Sequence, residues 1–275
     1  MPSAYFTPHT VFWRVNSDAL TNLAAARALM LELAHPLVAA GVAEHSNYKG
    51  DPFGRLVRTM RTMTDIMFGD VGAAQKAIGH FNGCHMKVSG ELAGTVGPLA
   101  AGVRYRAHDP LLKLWVLATL YDSCLIVYDQ FVAPLTLDDK QAYYHDGLTL
   151  GGLLGIPREM MPATYDDFDS YVQTMINSDM LTVSDQARDV AGALWAAPVF
   201  GPIAKLASFA GIGLLPDRIR SEFGFEWGER QEQWLARFAA ASRRIRPLIP
   251  NFFARNPRAL LAEIESESTN EHREA

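Results

Sequence analysis

Cysteine is nearly missing from this chain: 275 residues hold only Cys84 and Cys124. That excludes a disulfide framework, and without a Cys-x-x-Cys pair it excludes the common structural zinc sites. Both cysteines fall in apolar helical patterns and are expected to be buried free thiols in a reducing compartment. Basic charge is not in excess. The net charge of -5 gives the chain as a whole no footprint for nucleic acid or an anionic membrane. Strand-length alternation of Val, Ile and Thr is absent, so sheet content is expected to be near zero. No Gly-x-Ser-x-Gly elbow and no phosphate-loop lysine occur, and in GIGLLP Pro216 stands where a dinucleotide fingerprint wants glycine. A long uncharged hydrophobic run is lacking too: the most apolar stretch, Leu111 to Val132, carries Lys113, Asp122 and Asp129. The opening MPSAYFTPHTVFWRVNSD does not have the basic-then-apolar layout of a signal peptide. The expectation is a cytoplasmic protein without a transmembrane segment, peripheral membrane contact remaining open.

What is present is ample material for a helical core. Hydrophobic residues make up 49% and charged residues 20% of the chain, which argues for one all-α domain over residues 1–275. Its core is expected over roughly 17–262, with a charged, frayed tail over 263–275. A first helix starts at Ser17-Asp18 and runs through ALTNLAAARALMLELAHPLVAAGVAEHS, with a kink at Pro36. SNYKGDPFG is turn chemistry. Helices follow over 53–68 and 71–90, a glycine-rich loop over 91–106, and a central apolar helix from Asp109-Pro110 to Val132. Further helices are expected over 136–155, 163–182, 185–209, 215–224 and 227–246. The apolar segment ALWAAPVFGPIAKLASFAGIGLL is equally suited to cover the core, to form a homodimer contact or to touch a membrane.

Three features bear on chemistry. Glu32-Leu-Ala-His35 has the Glu-x-x-His spacing of a carboxylate-bridged di-iron site, but no second copy exists, and a core histidine beside a kink explains it as well. His85, in IGHFNGCHMKVSG, lies on a mixed apolar and small face. It reads either as a satisfied core histidine or as a ligand to haem iron. Arg55, Arg58 and Arg61 recur at helical spacing in RLVRTMRTMTD, with Thr59 among them. Such a stripe is either a solvated face or a grip on an anionic cofactor and bound oxygen.

The order of the pieces carries a resemblance. AHPLVAAGVAEHS is followed by Arg-x-x-Arg-Thr (Arg55, Arg58, Thr59), then by a helix with His85 and Gly90. After it come Tyr105, Ala107, Asp109 and Pro110, then Trp115-Val116, Tyr143-Tyr144 and LLGIP at Leu153 to Pro157. Over roughly Ala34 to Pro162 this resembles the family that groups the latex-clearing rubber oxygenases with the MpaB-type oxygenases. The resemblance implies a globin-like helical arrangement around a b-type haem, with His85 as the iron ligand and Arg55 and Thr59 in the haem pocket. Arg58 stands where the latex-clearing proteins have lysine; an arginine keeps the charge but does not readily release its proton. Their distal glutamate has no clear match, and His35 is the candidate for the distal space. The implied activity is a haem-dependent oxygenase that uses dioxygen on a hydrophobic small molecule, with oxidative cleavage of a carbon–carbon double bond as the family chemistry. Two alternatives stand beside it: a non-catalytic haem- or lipid-binding helical protein, and a non-haem di-iron oxidase.

Overall fold

The stretch expected to be central is the axis of the molecule. In the computed structural model, which describes residues 4–196 and 202–274, helix α6 (Pro110–Phe131) is surrounded by the helices before and after it. Asp109 starts it as the sequence suggests, its carboxylate accepting from the Leu111 amide at 2.8 Å with Pro110 in the first turn. By length and composition α6 could cross a membrane, but two-thirds of its apolar window is buried inside the fold. Its Asp122 is paired with buried Arg27 at 2.6 Å, and Arg27 also donates to Ser123 Oγ and to the Leu214 carbonyl. The charge that speaks against a lipid span is thus an internal tie between two helices and the Leu214 backbone.

Ahead of α6 come α1 (Val11–Ser17), a 3-10 turn (Ala19–Leu23), α2 (Ala24–Ala34), α3 (Pro36–His45), α4 (Pro52–Phe68) and α5 (Val71–His85). The expected kink at Pro36 is a complete break, with the two arms bent by 103°. Proline holds the residue before it extended, and His35 has φ -83° and ψ 118°. Pro36 then opens a new helix, and His35 Nδ1 accepts from the Leu37 amide at 3.3 Å as its cap. The loop after α5 contains a short antiparallel hairpin, β1 (Ser89–Glu91) against β2 (Arg104–Arg106), so the expected sheet content is exceeded only by these few residues. Tyr105 folds back from β2, its hydroxyl donating to Glu44 on α3 at 2.6 Å, and a side chain on Gly90 would collide with that ring. His45 Nε2 donates to the Ser89 carbonyl at 3.1 Å. Much of the ordered motif set therefore fastens this hairpin to α3.

After α6 follow α7 (Leu137–Leu153), α8 (Tyr165–Asn177), α9 (Asp185–Ala196), α10 (Pro202–Gly213), α11 (Asp217–Glu222), α12 (Glu229–Ile245), α13 (Asn251–Ala254) and α14 (Pro257–Glu274). Helices α7 and α8 open with Thr-to-Asp capping boxes at Thr136/Asp139 and Thr164/Asp167. The helix expected over 185–209 corresponds to α9 and α10, and residues 197–201 between them lie outside the described residues. The small face of α10 meets α2 so closely that a side chain at Gly211 would strike Ala26. Past Ala262 the last helix continues to Glu274, and Glu263 accepts from the Trp13 indole and pairs with Arg255 at 2.7 Å. One expectation is corrected. Cys84 is exposed rather than buried, because the apolar pattern around it belongs to a helix with only one face inward.

Candidate functional site

Helices α4 and α5 form an antiparallel hairpin that turns at Gly69-Asp70, where Asp70 accepts from the Ala73 amide at 2.7 Å. Arg55 near the start of α4 and His85 at the end of α5 each lie roughly 20 Å from that turn at ~1.5 Å per residue. They are therefore at the same, open end of the hairpin. The turn end is fastened: Phe68 packs edge-on against Trp13, and Asp65 pairs with Arg258 of α14 at 3.3 Å.

His85 is half-buried and held in a defined orientation. Its Nδ1 lies 2.9 Å from the Phe81 carbonyl one turn earlier, and its ring lies tilted against that of Phe81, with centroids 3.9 Å apart. A carbonyl only accepts, so the proton is on Nδ1 and the lone pair on Nε2. No partner of Nε2 is found among the described residues. Burial, followed by the positive charge of Lys113, holds the imidazole pKa below its usual 6.5, against the opposing pull of the Phe81 carbonyl. Lys113 itself donates to the Leu154 carbonyl at 2.9 Å and reaches Asn82 on α5 at 3.5 Å.

Glu32 is the residue the sequence undervalued. It is half-buried on α2. Burial raises its pKa from 4.5 to about 7, while Arg55 and the Thr119 hydroxyl, 3.4 Å from Oε1, pull the other way. Arg55 is half-buried; its charge is disfavoured by burial and supported by Glu32. A lone glutamate on the apolar face of α2 was the available signal, but its link to Arg55 crosses between helices and has no sequence spacing to betray it.

The remaining expected site residues take other partners. Arg58 turns to solvent and pairs with Asp51 at 2.9 Å, and Thr59 is exposed on the same helix. His35 is buried at the α2–α3 break, its Nδ1 occupied as a helix cap and its pKa lowered to about 4 by burial. Because His35 is extended rather than helical, Glu32 and His35 do not have the shared helical face that the di-iron reading assumed. Among the described residues no group of three or more His, Cys, Asp or Glu is placed to hold a metal ion. The donor set thus does not fit a carboxylate-bridged site.

The sequence profile of the family described as ER-bound oxygenase mpaB/B'/Rubber oxygenase, catalytic domain, matches residues 13–244. An uncharacterized protein of Mycobacterium tuberculosis is 26% identical over 217 residues, covering 75% of this chain and 82% of the relative. An uncharacterized protein of Mycobacterium bovis matches with the same identity and coverage. No solved structure matches. With the profile spanning most of the chain, from α1 to the end of α12, this protein belongs to the MpaB/rubber oxygenase catalytic-domain family.

Proposed function

We propose that the chain is a haem-dependent oxygenase acting on a hydrophobic small molecule, with His85 as the iron ligand and Glu32 with Arg55 as the polar pair of the reaction space. The observation that carries the reading is the His85 geometry. A neutral imidazole, fixed through Nδ1 to the Phe81 carbonyl and presenting an uncommitted Nε2, is the donor that haem iron takes. The proposal places the haem at the open end of the α4–α5 hairpin, enclosed in a globin-like manner by α2 and α6. Bound haem would supply the binding and activation of dioxygen.

The chain's own residues then have distinct tasks. Arg55 keeps its charge in a partly desolvated place, where a guanidinium stabilises developing negative charge or a propionate more strongly than in water. Glu32, with a pKa about 7, is divided between its two protonation states at neutral pH and is suited to hold or release a proton at its carboxyl oxygen. Arg58 and Thr59 belong to the rim of the pocket in this reading, and His35 shapes the α2–α3 corner behind it. The partly buried apolar side chains Met63, Met67, Ile78, Phe81 and Tyr171, packed on the core, suit a greasy substrate. The protein is proposed to work in the cytoplasm.

The test is the absorption spectrum of haem-loaded protein, oxidised and reduced, with oxygen uptake in the presence of apolar alkenes. Wild type should show a Soret band that His85→Ala shifts or abolishes. Glu32→Gln and Arg55→Ala should keep the band and lose oxygen uptake. A wild type without a Soret band would refute the cofactor, and Glu32→Gln and Arg55→Ala variants as active as wild type would refute the polar pair.

A further inference from the structure

The net charge of -5 hides a local reversal: residues 233–258 contain six arginines and no Asp or Glu. Three of the six are held by the fold, Arg246 by Asp18 at 2.6 Å, Arg255 by Glu263 at 2.7 Å and Arg258 by Asp65 at 3.3 Å. The other three, Arg237, Arg243 and Arg244, are exposed and have no ion-pair partner among the described residues. In the same stretch Ile245, Leu248, Phe252 and Phe253 are 53%, 80%, 74% and 73% exposed. Isolated surface leucines need no explanation, but four large apolar side chains within one short connection, all mostly in water, do.

The connection is not slack. Arg246 anchors one end to Asp18. At the other end Ala254 is buried, Arg255 donates to Ser17 Oγ at 2.7 Å, and the Asn256 amide donates to the Ser17 carbonyl at 2.7 Å. Pro247 and Pro250 stiffen the backbone between the anchors. The tip is thus pinned at both ends of its base. On α12, Trp234, Arg237 and Ala241 continue the line at helical spacing towards Ile245, and Trp234 is 57% exposed.

We propose that the tip formed by residues 243–253 docks the protein peripherally on an anionic membrane surface. An exposed apolar tip needs no matching seat in a lipid layer. Its apolar side chains enter the boundary of the acyl region, while the unpaired guanidinium groups beside them meet phosphate headgroups. Flanking positive charge on an otherwise acidic protein selects an acidic surface and orients the molecule tip-down upon it. This inference is independent of the haem reading and stands or falls by a different measurement.

The experiment is co-sedimentation of the full chain with vesicles of phosphatidylcholine alone and of phosphatidylcholine with phosphatidylglycerol. Wild type should partition onto the anionic vesicles and release them as salt rises. Arg243→Ala with Arg244→Ala should weaken binding about thirty-fold, from ~1 kcal/mol per basic residue at an anionic surface. Phe252→Ser with Phe253→Ser should weaken it at least ~tenfold. All four side chains are exposed, so circular dichroism should stay unchanged in both variants. The proposal is overturned if wild type ignores anionic vesicles, or if both variants bind like wild type. It is equally overturned if light scattering shows a dimer that the phenylalanine variant dissolves while no form binds lipid, since the face is then an interface between two copies.

Discussion

Two buried groups at neighbouring positions should give this protein opposing responses to acid. His35 has its pKa lowered from 6.5 to about 4 because burial disfavours the charged ring. Between those values the unfolded chain binds the proton and the folded one does not, so stability is lost as pH falls through that window. From about pH 7 to about pH 5 the loss is about 2 kcal/mol. Glu32 has its pKa raised from 4.5 to about 7, again chiefly by burial. There the folded state binds the proton first, so stability is gained as pH falls from about 7 towards 4.5, by a similar ~2 kcal/mol. In the wild type the two nearly cancel. His35→Asn keeps an acceptor near the position of Nδ1 for the Leu37 amide and removes the titrating ring. Relative to wild type it should become more stable on acidification, by about 2 kcal/mol. Glu32→Gln should move the other way by a comparable amount. Urea unfolding of the three proteins at both pH values measures this, because all other titrations cancel in the differences. If the gaps between variant and wild type stay constant within about 0.5 kcal/mol across the pH range, the burial argument for these two groups is wrong.

Two further outcomes follow from the packing. Arg27→Met leaves Asp122 buried without its partner and should cost about 3–5 kcal/mol, whereas adding Asp122→Leu should restore much of the loss; a single-variant cost below ~1 kcal/mol in the same urea assay would refute the tie. A thiol reagent should label exposed Cys84 in the native protein well before half-buried Cys124, whose thiol burial pushes up to about 12. Fast native labelling of both would contradict the placement of α6.

Local chemistry determined a good deal without any structure. The Asp109-Pro110 start of α6 and the break between α4 and α5 at Gly69-Asp70 depend on residues within one helical turn, so sequence spacing reads them directly. The helical class follows from the apolar periodicity in the same way. The candidate ligand His85 was legible too, and its carbonyl partner Phe81 lies four residues away on the same helix. What sequence could not supply is whatever depends on the angle between helices. At Pro36 a proline signals a disturbance, but whether it bends a helix or ends one is settled by what packs on each arm, here a 103° break that leaves His35 as a cap. The electrostatic influence of Arg55 on Glu32 acts between α4 and α2, which no sequence spacing relates. The run of six arginines without an acid over 233–258 is legible in the sequence, but which of them are free became visible only once Arg246, Arg255 and Arg258 were seen to be occupied. Caps and helices are short-range hydrogen-bond and entropy effects written locally; pKa shifts and free surfaces are set by neighbours distant in sequence, and these the tertiary structure alone decided.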